Sequence, residues 1–343
     1  MPFCLSKCPY CDFYSVPFGD IQAERYVSAV IRNIRAYGGE FDSVYFGGGT
    51  PILIADDIGA ILKAANIAKG AEITVECNPR EMTEKALETL LNAGVNRLSA
   101  GVQSLDDEVL KALGRRHDAL TAEKAIITAK SEGFDNISAD IMLATPRQTA
   151  DSLGETLERL NELPLTHISA YMLKIEPHTP FGRNPPELPD DDETADIYLR
   201  TVIALERYGF KQYEISNFAR DGFECRHNLK YWHREEYLGI GAAAHSLYEG
   251  RRFYIERSVE DFISAERQRE LAEWDTPNGR EIYEERVMLG LRLTEGIPEE
   301  LYKPLSDRLK YIPERYYRLK GGRLELTAEG FAVSNAIISV LLG

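Results

Sequence analysis

The stretch MPFCLSKCPYCDFYS, residues 1–15, places Cys4, Cys8 and Cys11 on one short segment, although the chain has only five cysteines. Three thiolates with this spacing can converge on one centre. Zinc normally takes four ligands in a closed structural site, and Cys77 and Cys225 lie far away in other motifs. An iron–sulfur cluster with three cysteine ligands and one open iron is therefore favoured. The alternatives are chance clustering and a zinc-clipped interaction protein.

Length and composition set the class of protein. The chain has 343 residues, enough for one large domain with an appendage or for two domains. No apolar run reaches the length of a membrane span and no leader-like segment precedes the cysteines, so a cytoplasmic protein without a disulfide framework is predicted. The net charge of −15 argues against broad contact with nucleic acid.

Short apolar runs alternate with helical patterns from residue 41 to about 217. These runs occupy 43–51, 73–80, 97–105, 136–146, 167–177 and 210–218. The alternation predicts parallel βα units, arranged as a barrel or as an open doubly wound sheet. Ligands of both folds lie at the carboxyl ends of the strands. Several unusual polar or glycine residues end these runs, namely Gly47–Thr50, Glu76, Gln103 and Asp140.

Three helical segments carry recognisable signals. Residues 21–36 place apolar side chains on one face, and 104–114 begins with Ser104 and Asp107 at the spacing of a capping box. The helical pattern of 189–208 opens with Asp190, Asp191 and Asp192, where the helix dipole favours acidic side chains.

The C-terminal part has a different pattern. Residues 281–293, 298–309 and 328–342 are predicted helices, and 316–327 is a predicted hairpin with a Gly-Gly turn. This order is similar to a winged helix. Residues 298–343 carry seven basic and six acidic groups, so docking or packing is favoured over DNA binding. We predict a barrel over 1–217, a bridging segment with HNLKYW over 218–280, and a winged-helix-like domain over 281–343.

The CxxxCxxC pattern followed by a glycine-rich strand end resembles the radical S-adenosylmethionine (SAM) superfamily. The resemblance implies an α/β fold, a partial (β/α)6 TIM-like barrel, with a 4Fe–4S cluster at its mouth. SAM would chelate the unique iron through its amino and carboxylate groups. Reductive cleavage of SAM would give a 5′-deoxyadenosyl radical, while the protein supplies positioning and exclusion of water.

A longer set of motifs narrows the resemblance. In order, they are PFCxxxCPYCDF, YFGGGTP, ECNP, GVQSLDDEVLKALGR, ADIMLATPRQT, HISAYMLKIEP, RHNLKYW and YLGIGAAAHS, over residues 2–246. Together they resemble the oxygen-independent coproporphyrinogen III oxidase family, and especially its heme-chaperone branch. A winged-helix-like C-terminal domain is also a feature of that family, so the resemblance covers nearly the whole chain.

The resemblance implies roles for individual residues. Cys4, Cys8 and Cys11 would hold the cluster. The SAM-binding set would comprise Tyr10, Gly48, Gly49, Thr50, Glu76, Gln103, Arg115, Asp140 and His245. An acid at a strand end suits ribose hydroxyls, and the guanidinium fork suits a carboxylate. The structural alternatives are a tight turn for the glycines, a helix cap for Glu76 and loop packing for Tyr10. For Cys77 a small core residue is the favoured interpretation.

HNLKYW at 227–232 resembles the HNxxYW motif that is linked to heme binding in the chaperone branch. His227 is the candidate ligand because imidazole is a common axial ligand of heme iron. A hydrogen-bonded structural histidine is the alternative. Phe13 stands where the oxidase branch has a fourth cysteine, which points away from the oxidase. The ADIMLATP segment has Ala144 where the family more usually has glycine.

Two functions are therefore in view. The first is a heme chaperone that uses a 4Fe–4S cluster and SAM in delivering heme, as cargo, to an acceptor protein. The second is oxidative decarboxylation of coproporphyrinogen III, an enzyme activity that Phe13 disfavours. The chaperone would have a small redox protein as electron donor and no nucleic acid partner. A dimer, or contact with a membrane through the acceptor, is left open. The family's first strand is not found before Pro2, so an open barrel edge and an incomplete SAM site are expected.

Overall fold

The computed structural model describes residues 1–343. Its helices are α1 Asp20–Tyr37, α2 Ala55–Ala64, α3 Glu84–Ala93, α4 Asp107–Ala112, α5 Ala119–Glu132, α6 Ala150–Glu162, α7 Pro180–Arg183, α8 Asp191–Arg207, α9 Arg226–Trp232, α10 Val259–Ser264, α11 Gly279–Gly290, α12 Glu299–Tyr302, α13 Ser306–Leu309, α14 Ala328–Ala332 and α15 Ser334–Leu342. No helix is long and apolar enough to cross a bilayer.

The strands are β1 Phe3–Cys4, β2 Val16–Pro17, β3 Glu40–Phe46, β4 Asn66–Cys77, β5 Arg97–Gln103, β6 Ile137–Leu143, β7 His167–Met172, β8 Lys211–Gln212, β9 Asn217–Ala219, β10 His245–Tyr248, β11 Arg251–Ile255, β12 Ala272–Asp275, β13 Ile297–Pro298, β14 Tyr317–Lys320 and β15 Arg323–Leu326. Seven of them form one curled sheet in the order β3-β4-β5-β6-β7-β9-β8. The fold is an α/β partial barrel with a smaller C-terminal unit.

The main sheet is parallel from β3 to β7 and then changes direction. The predicted sixth parallel strand, 210–218, is instead the short hairpin β8–β9, and β9 pairs antiparallel with both β7 and β8. The backbone bond from Tyr213 N to Asn217 O, 3.1 Å long, closes this hairpin. A hairpin reverses the chain without a crossover, so β9 returns beside β7 in the opposite sense.

Along β5, apolar core residues alternate with residues that face the inside of the half-barrel. Leu98, Ala100 and Val102 are fully buried in the hydrophobic core of the molecule. The intervening residues Arg97, Ser99, Gly101 and Gln103 line a cavity inside the half-barrel. Successive strand residues point to opposite faces, so the apolar layer faces the helices and the polar layer faces the interior. The fold thereby presents a polar concave surface to any ligand.

The N-terminal segment is joined to the strand end of β3 by backbone hydrogen bonds. Thr50 N donates to Phe3 O and Gly49 N donates to Met1 O, each at 2.7 Å. A Cβ on Gly49 would lie 2.5 Å from the Phe3 carbonyl oxygen. Only glycine permits this close approach. The glycine-rich turn therefore docks the cysteine segment onto the barrel.

The C-terminal unit contains the predicted hairpin. β14 and β15 pair antiparallel, and Gly321 and Gly322 both have positive φ, as a type I′ turn requires. The predicted helix 298–309 is interrupted between α12 and α13 by a 3₁₀ turn containing Pro304, because proline cannot donate within a helix. Ile215 N donates to Arg292 O at 2.9 Å, which joins this unit to the barrel.

The caps of two helices test the sequence signals. Asp190 caps α8 and forms a capping box with Glu193, as the acidic start predicts. For α4, however, the proposed capping box of Ser104 and Asp107 is wrong. Asp106 is the N-cap and accepts from Glu108 N and Val109 N, while Ser104 accepts from Asp106 N. The helix begins after Asp106, so Ser104 lies outside it and stabilises the turn before it.

Candidate functional site

A cavity of about 390 Å³ occupies the inside of the half-barrel, and we call it the barrel cavity. The three cysteines of the N-terminal segment line its mouth. Its wall also contains every predicted SAM residue except His245, namely Tyr10, Gly48, Gly49, Thr50, Glu76, Gln103, Arg115 and Asp140. These residues come from the cysteine segment, from the carboxyl ends of β4 and β5, and from the loops after β3 and α4. Asp140, which the sequence placed at the end of an apolar run, instead lies in the middle of β6. The sequence prediction that strand ends converge is thus met by the geometry.

The cysteine segment is held by polar contacts from the barrel. Thr50 Oγ1 donates to Cys4 Sγ at 3.6 Å, and Arg115 Nη1 donates to Cys8 Sγ at 3.5 Å. Burial raises the pKa of the Cys11 thiol. No three His, Cys, Asp or Glu side chains lie close enough together to hold a single metal ion.

Glu76 ends β4 in the wall of the barrel cavity. Its Oε1 accepts from Tyr45 Oη at 2.9 Å and its Oε2 accepts from Gly48 N at 2.9 Å. Burial, followed by the nearby charge of Asp140, raises the pKa of this carboxyl. A ligand that brings a positive charge would stabilise the ionised form. The carboxylate is thus suited to a cationic amine.

Asp140 lies two strands further along the sheet, on β6. Both of its carboxylate oxygens accept from Ser99 Oγ, at 3.0 and 3.1 Å. Burial raises the pKa of Asp140 as well, against the opposing effect of its hydroxyl partners. Two buried acids that face one cavity repel each other, and the charge of Asp140 adds to the effect of burial on the pKa of Glu76.

Arg115 connects the cysteine segment to the sheet. Its Nη2 donates to Asn78 Oδ1 at 2.7 Å and to Gly101 O at 2.8 Å, while Nη1 also reaches Tyr10 Oη at 3.4 Å. Gln103, at the end of β5, has a positive φ of 67°, a strained conformation for a residue with a side chain. Backbone strain of this kind is common at functional sites.

Asn78 was not identified from the sequence as a site residue. It donates to Thr50 Oγ1 at 2.9 Å and accepts from Arg115, so it links two predicted site residues. The sequence contained a signal for Asn78, because it is the third residue of the ECNP motif, directly after Glu76 and Cys77. Cys77 itself is buried and its thiol donates to the Val75 carbonyl at 3.6 Å, in agreement with a core residue.

A second concave surface of about 370 Å³ runs along β3, the edge strand of the sheet, and we call it the edge groove. Most of its lining is hydrophobic, with contributions from α1, β3 and residues 237–245. His227 and Tyr231 of α9 lie in its wall. Tyr45 lines both the edge groove and the barrel cavity, as do Phe13 and Gly48, so the two cavities share this part of their walls.

The imidazole of His227 forms a hydrogen bond at each ring nitrogen and stacks against another ring on one face. Nδ1 lies 2.9 Å from Ser43 Oγ and Nε2 lies 2.7 Å from Tyr231 Oη. The ring stacks on Tyr45, with centroids 5.3 Å apart and planes at 23°. Burial lowers the pKa of His227 to about 4, so the imidazole is neutral near pH 7. A neutral imidazole is the form that ligates heme iron.

A buried carboxylate positions α9. Glu72, on β4, accepts from the backbone amides of Arg226 and His227 at 3.0 Å each, and from Cys225 Sγ at 3.4 Å. Glu72 is 5% exposed. An acid at the helix N-terminus satisfies amides that have no partner within the helix. Cys225, which the sequence left without a role, thus helps to anchor this carboxylate.

His245 lies apart from the other predicted SAM residues. It lines the edge groove, is exposed, and stacks on Tyr254 with centroids 5.5 Å apart. The structure does not bring it to the barrel cavity, and its predicted contact with SAM stays a prediction.

The half-barrel and its cysteine-lined cavity are those of a radical SAM protein, and the Radical SAM superfamily model matches residues 1–160. The structure of coproporphyrinogen III oxidase (HemN) from Escherichia coli is similar to this chain with a TM-score of 0.83. That match covers 99% of this chain and 88% of the oxidase at 20% identity, which shows the fold alone.

Full-length relatives narrow the class. The heme chaperone HemW of Lactococcus lactis is 30% identical over 362 residues, and the HemW of Escherichia coli K12 is 32% identical over 366 residues. Each alignment covers 100% of this chain and 96% of the relative. The chain belongs to the heme chaperone HemW family.

Proposed function

We propose that this protein is a radical SAM-type heme chaperone, which holds a 4Fe–4S cluster, binds SAM and carries heme to an acceptor protein. The observation that carries the proposal is the back-to-back arrangement of the two sites. A cavity lined by the cysteine triad lies on one side of Tyr45, and a hydrophobic groove with a neutral histidine lies on the other. Family membership supports the same assignment.

Cys4, Cys8 and Cys11 are the proposed cluster ligands. They line one mouth, and the hydrogen bonds to Cys4 and Cys8 come from groups that stabilise thiolate charge. The cluster would supply the electron that cleaves a carbon–sulfur bond of SAM. In this cavity the chain's own residues would orient SAM and exclude water.

The remaining cavity residues have complementary chemistry for SAM. Glu76 and the Gly48–Thr50 turn would receive its amino group, and Asp140 would accept from ribose hydroxyls. Arg115, beside Cys8, presents a guanidinium near the cluster end of the cavity, where a carboxylate would lie. Gln103 and Tyr10 would complete the wall. The close approach of Gly49 to the Phe3 backbone leaves no room for a side chain, which supports a role for this turn in cofactor positioning.

His227 is the proposed heme ligand. Ser43 fixes Nδ1, and partners of this kind orient a ligating imidazole. Nε2 faces the more exposed side, where Tyr231 is 38% exposed and must release its hydrogen bond before iron can bind. The hydrophobic lining of the edge groove suits a porphyrin face.

The chaperone is favoured over oxidative decarboxylation of coproporphyrinogen III by Phe13. This side chain is 66% exposed and lines both the barrel cavity and the edge groove. A cysteine at this position is part of the oxidase pattern. An anaerobic assay with SAM, reductant and coproporphyrinogen III is expected to give no vinyl product, and vinyl product would reverse the assignment.

We place the protein in the cytoplasm, since all five cysteines are free thiols as expected in a reducing compartment. A heme-accepting protein and a small redox protein that donates electrons are the proposed partners. Self-association into a dimer, and contact with a membrane through the acceptor, belong to the same proposal.

The proposal is tested by titrating heme into the reconstituted protein and following the Soret band. His227→Ala is expected to lose the histidine-ligated spectrum, while His233→Ala, a nearby exposed histidine, is the matched control. Iron and sulfide analysis of Cys8→Ala tests the cluster separately, with Cys77→Ala as its control. Unchanged heme spectra in His227→Ala would remove His227 from the mechanism, and retained iron in Cys8→Ala would remove the triad.

A further inference from the structure

Arg97 is a buried cation that makes no ion pair within 4.0 Å, although the acidic side chains of Glu72 and Asp140 act on it at longer range. It opens β5, is 1% exposed, and lines the inner part of the barrel cavity. Its Nε has no hydrogen-bond partner. None of the ion pairs in the molecule includes it, so no carboxylate oxygen lies within 4.0 Å of its guanidinium. A buried charge is normally paired, because desolvation is costly.

The other charged groups deep in this cavity are already engaged. Glu76 accepts from Tyr45 and Gly48, and Asp140 accepts from Ser99. Arg115 donates to Asn78 and Gly101 at the cluster end. Arg97 therefore differs from them in having its donors free for a ligand.

The neighbouring strand contributes a second unsatisfied group. Thr74 pairs with Arg97 in the register between β4 and β5, and it is completely buried. Its Oγ1 has no hydrogen-bond partner. Two register neighbours with unpaired polar atoms are unusual in a folded interior.

The position of Arg97 separates it from the proposed SAM contacts. Gln103 and Gly101 lie at the carboxyl end of β5, near Arg115 and the cysteine segment, whereas Arg97 is at the opposite end of the strand. Asn228, from α9, lines the same cavity. A ligand on Arg97 would therefore lie further inside the half-barrel than a SAM molecule held at the cluster end.

We propose that the inner end of the barrel cavity is a binding subsite for the carboxylate of a small organic molecule, with Arg97 as its anchor. A guanidinium donates two parallel hydrogen bonds to a carboxylate. We take the ligand to be a compact carboxylate, because Arg97 lies beyond the proposed SAM position at the inner end of the cavity. The body of this ligand would face Asp140 and the proposed ribose position.

The test uses propionate as the probe and the full-length protein, with and without the reconstituted cluster. We expect propionate to raise the unfolding temperature saturably, with a dissociation constant on the order of millimolar. Propionamide, which is neutral and of the same size, and chloride are expected to have at least tenfold weaker effects. Equal effects of propionate and propionamide, or no saturable effect, would refute the subsite.

Arg97→Met tests the anchor itself. We expect at least a tenfold loss of propionate affinity with an unliganded unfolding temperature at or above that of the native chain, because an unpaired buried charge is removed. Arg80→Met, an exposed arginine, is the matched control. A lower unfolding temperature with unchanged propionate affinity would assign Arg97 a structural role.

Two further measurements distinguish the remaining outcomes. If Arg97→Met does not fold, Arg97→Lys keeps the charge without the fork, and an unchanged affinity in that variant would count against the subsite. Hemin binding is expected to be unaffected by Arg97→Met. A parallel loss of hemin binding would instead assign the site to a porphyrin propionate and overturn the small-ligand proposal, without affecting the assignment of His227.

Discussion

Tyr45 stacks on His227, with ring centroids 5.3 Å apart, and donates its hydroxyl to Glu76 at 2.9 Å. The ring face of Tyr45 thus contacts His227, the proposed heme ligand. Its hydroxyl contacts Glu76, the carboxylate that is proposed to bind the amino group of SAM. The ring and the hydroxyl can be tested separately, because phenylalanine keeps the first and removes the second.

Tyr45→Phe is expected to weaken SAM binding by roughly tenfold, since a hydrogen bond to a charged group contributes about 1.5 kcal/mol. The heme spectrum should stay within experimental error of the native one, because the stack on His227 is retained. Anaerobic calorimetry with SAM and a Soret titration measure the two effects. Tyr254→Phe is the matched control, since Tyr254 stacks on His245 at 5.5 Å and donates to Glu273. Unchanged SAM affinity would contradict the role of Glu76.

Tyr231→Phe is expected to tighten heme binding by roughly fivefold. The Tyr231 hydroxyl lies 2.7 Å from His227 Nε2 and competes with iron for this nitrogen, and such a bond contributes about 1 kcal/mol. Heme titration measures the change. Tyr237→Phe is the control, since Tyr237 packs edge-on against Tyr231 with centroids 4.6 Å apart. Weaker heme binding in Tyr231→Phe would show that the hydroxyl assists heme rather than competes with it.

Glu214 is expected to make the protein less stable as the pH rises. Burial raises the pKa of this fully buried carboxyl to about 7. The folded state therefore binds a proton that the unfolded state releases at lower pH. The stabilisation is complete below the unfolded pKa of about 4.5 and is lost as the pH rises through 7. The free energy of unfolding should fall by ~3 kcal/mol across this window.

Glu214→Gln should remove most of that pH dependence, because the amide does not ionise and its oxygen can still accept from Ser216 N. Urea denaturation at pH 5 and pH 8 measures it. Glu206→Gln, at an exposed position of α8, should retain the native slope. An identical slope in Glu214→Gln would place the titrating group elsewhere.

Ala144→Gly is expected to stabilise the fold by about 0.5–1 kcal/mol. Ala144 follows β6 with a φ of 55°, where a side chain is strained and glycine is not. The gain is partly offset by the greater freedom of glycine in the unfolded chain. Thermal and chemical denaturation measure the effect. Ala139→Gly, within β6 and without positive φ, should instead destabilise the protein. A loss of stability in both variants would contradict the strain at Ala144.

The sequence allowed much of this architecture to be predicted, because strand ends in a parallel sheet meet at one edge. Glu76 and Gln103 could be grouped on that basis before any coordinates, whereas Asp140 reaches the same cavity from the middle of β6. The contacts between distant motifs could not be predicted in this way. The stack of Tyr45 on His227 depends on how α9 docks against β3, which is set by the buried contact of Glu72 with the start of α9.

Arg97 shows a second limit of prediction from the sequence. The alternation of β5 indicates that its side chain points inward, but only the packed structure shows that it makes no ion pair and that its Nε has no hydrogen-bond partner. The direction of β9 was likewise hidden, because 210–218 reads as one strand whereas the fold breaks it into a hairpin. The position of His245 follows from the sheet β10–β12, whose strands carry no sequence signal of their distance from the barrel.

The hydrogen bonds that hold the cysteine segment join residues that the ribosome synthesises at very different times. Phe3 and Pro9 accept from Thr50 and Phe181, and Cys8 accepts from Arg115. A ribosome releases the cysteines first and their partners much later, at about 5–20 residues per second. Thr50 is made early, but Arg115 follows only after about a third of the chain and Phe181 only after about half. The complete set of contacts that holds the cysteine segment is therefore available only once more than half of the chain has been synthesised.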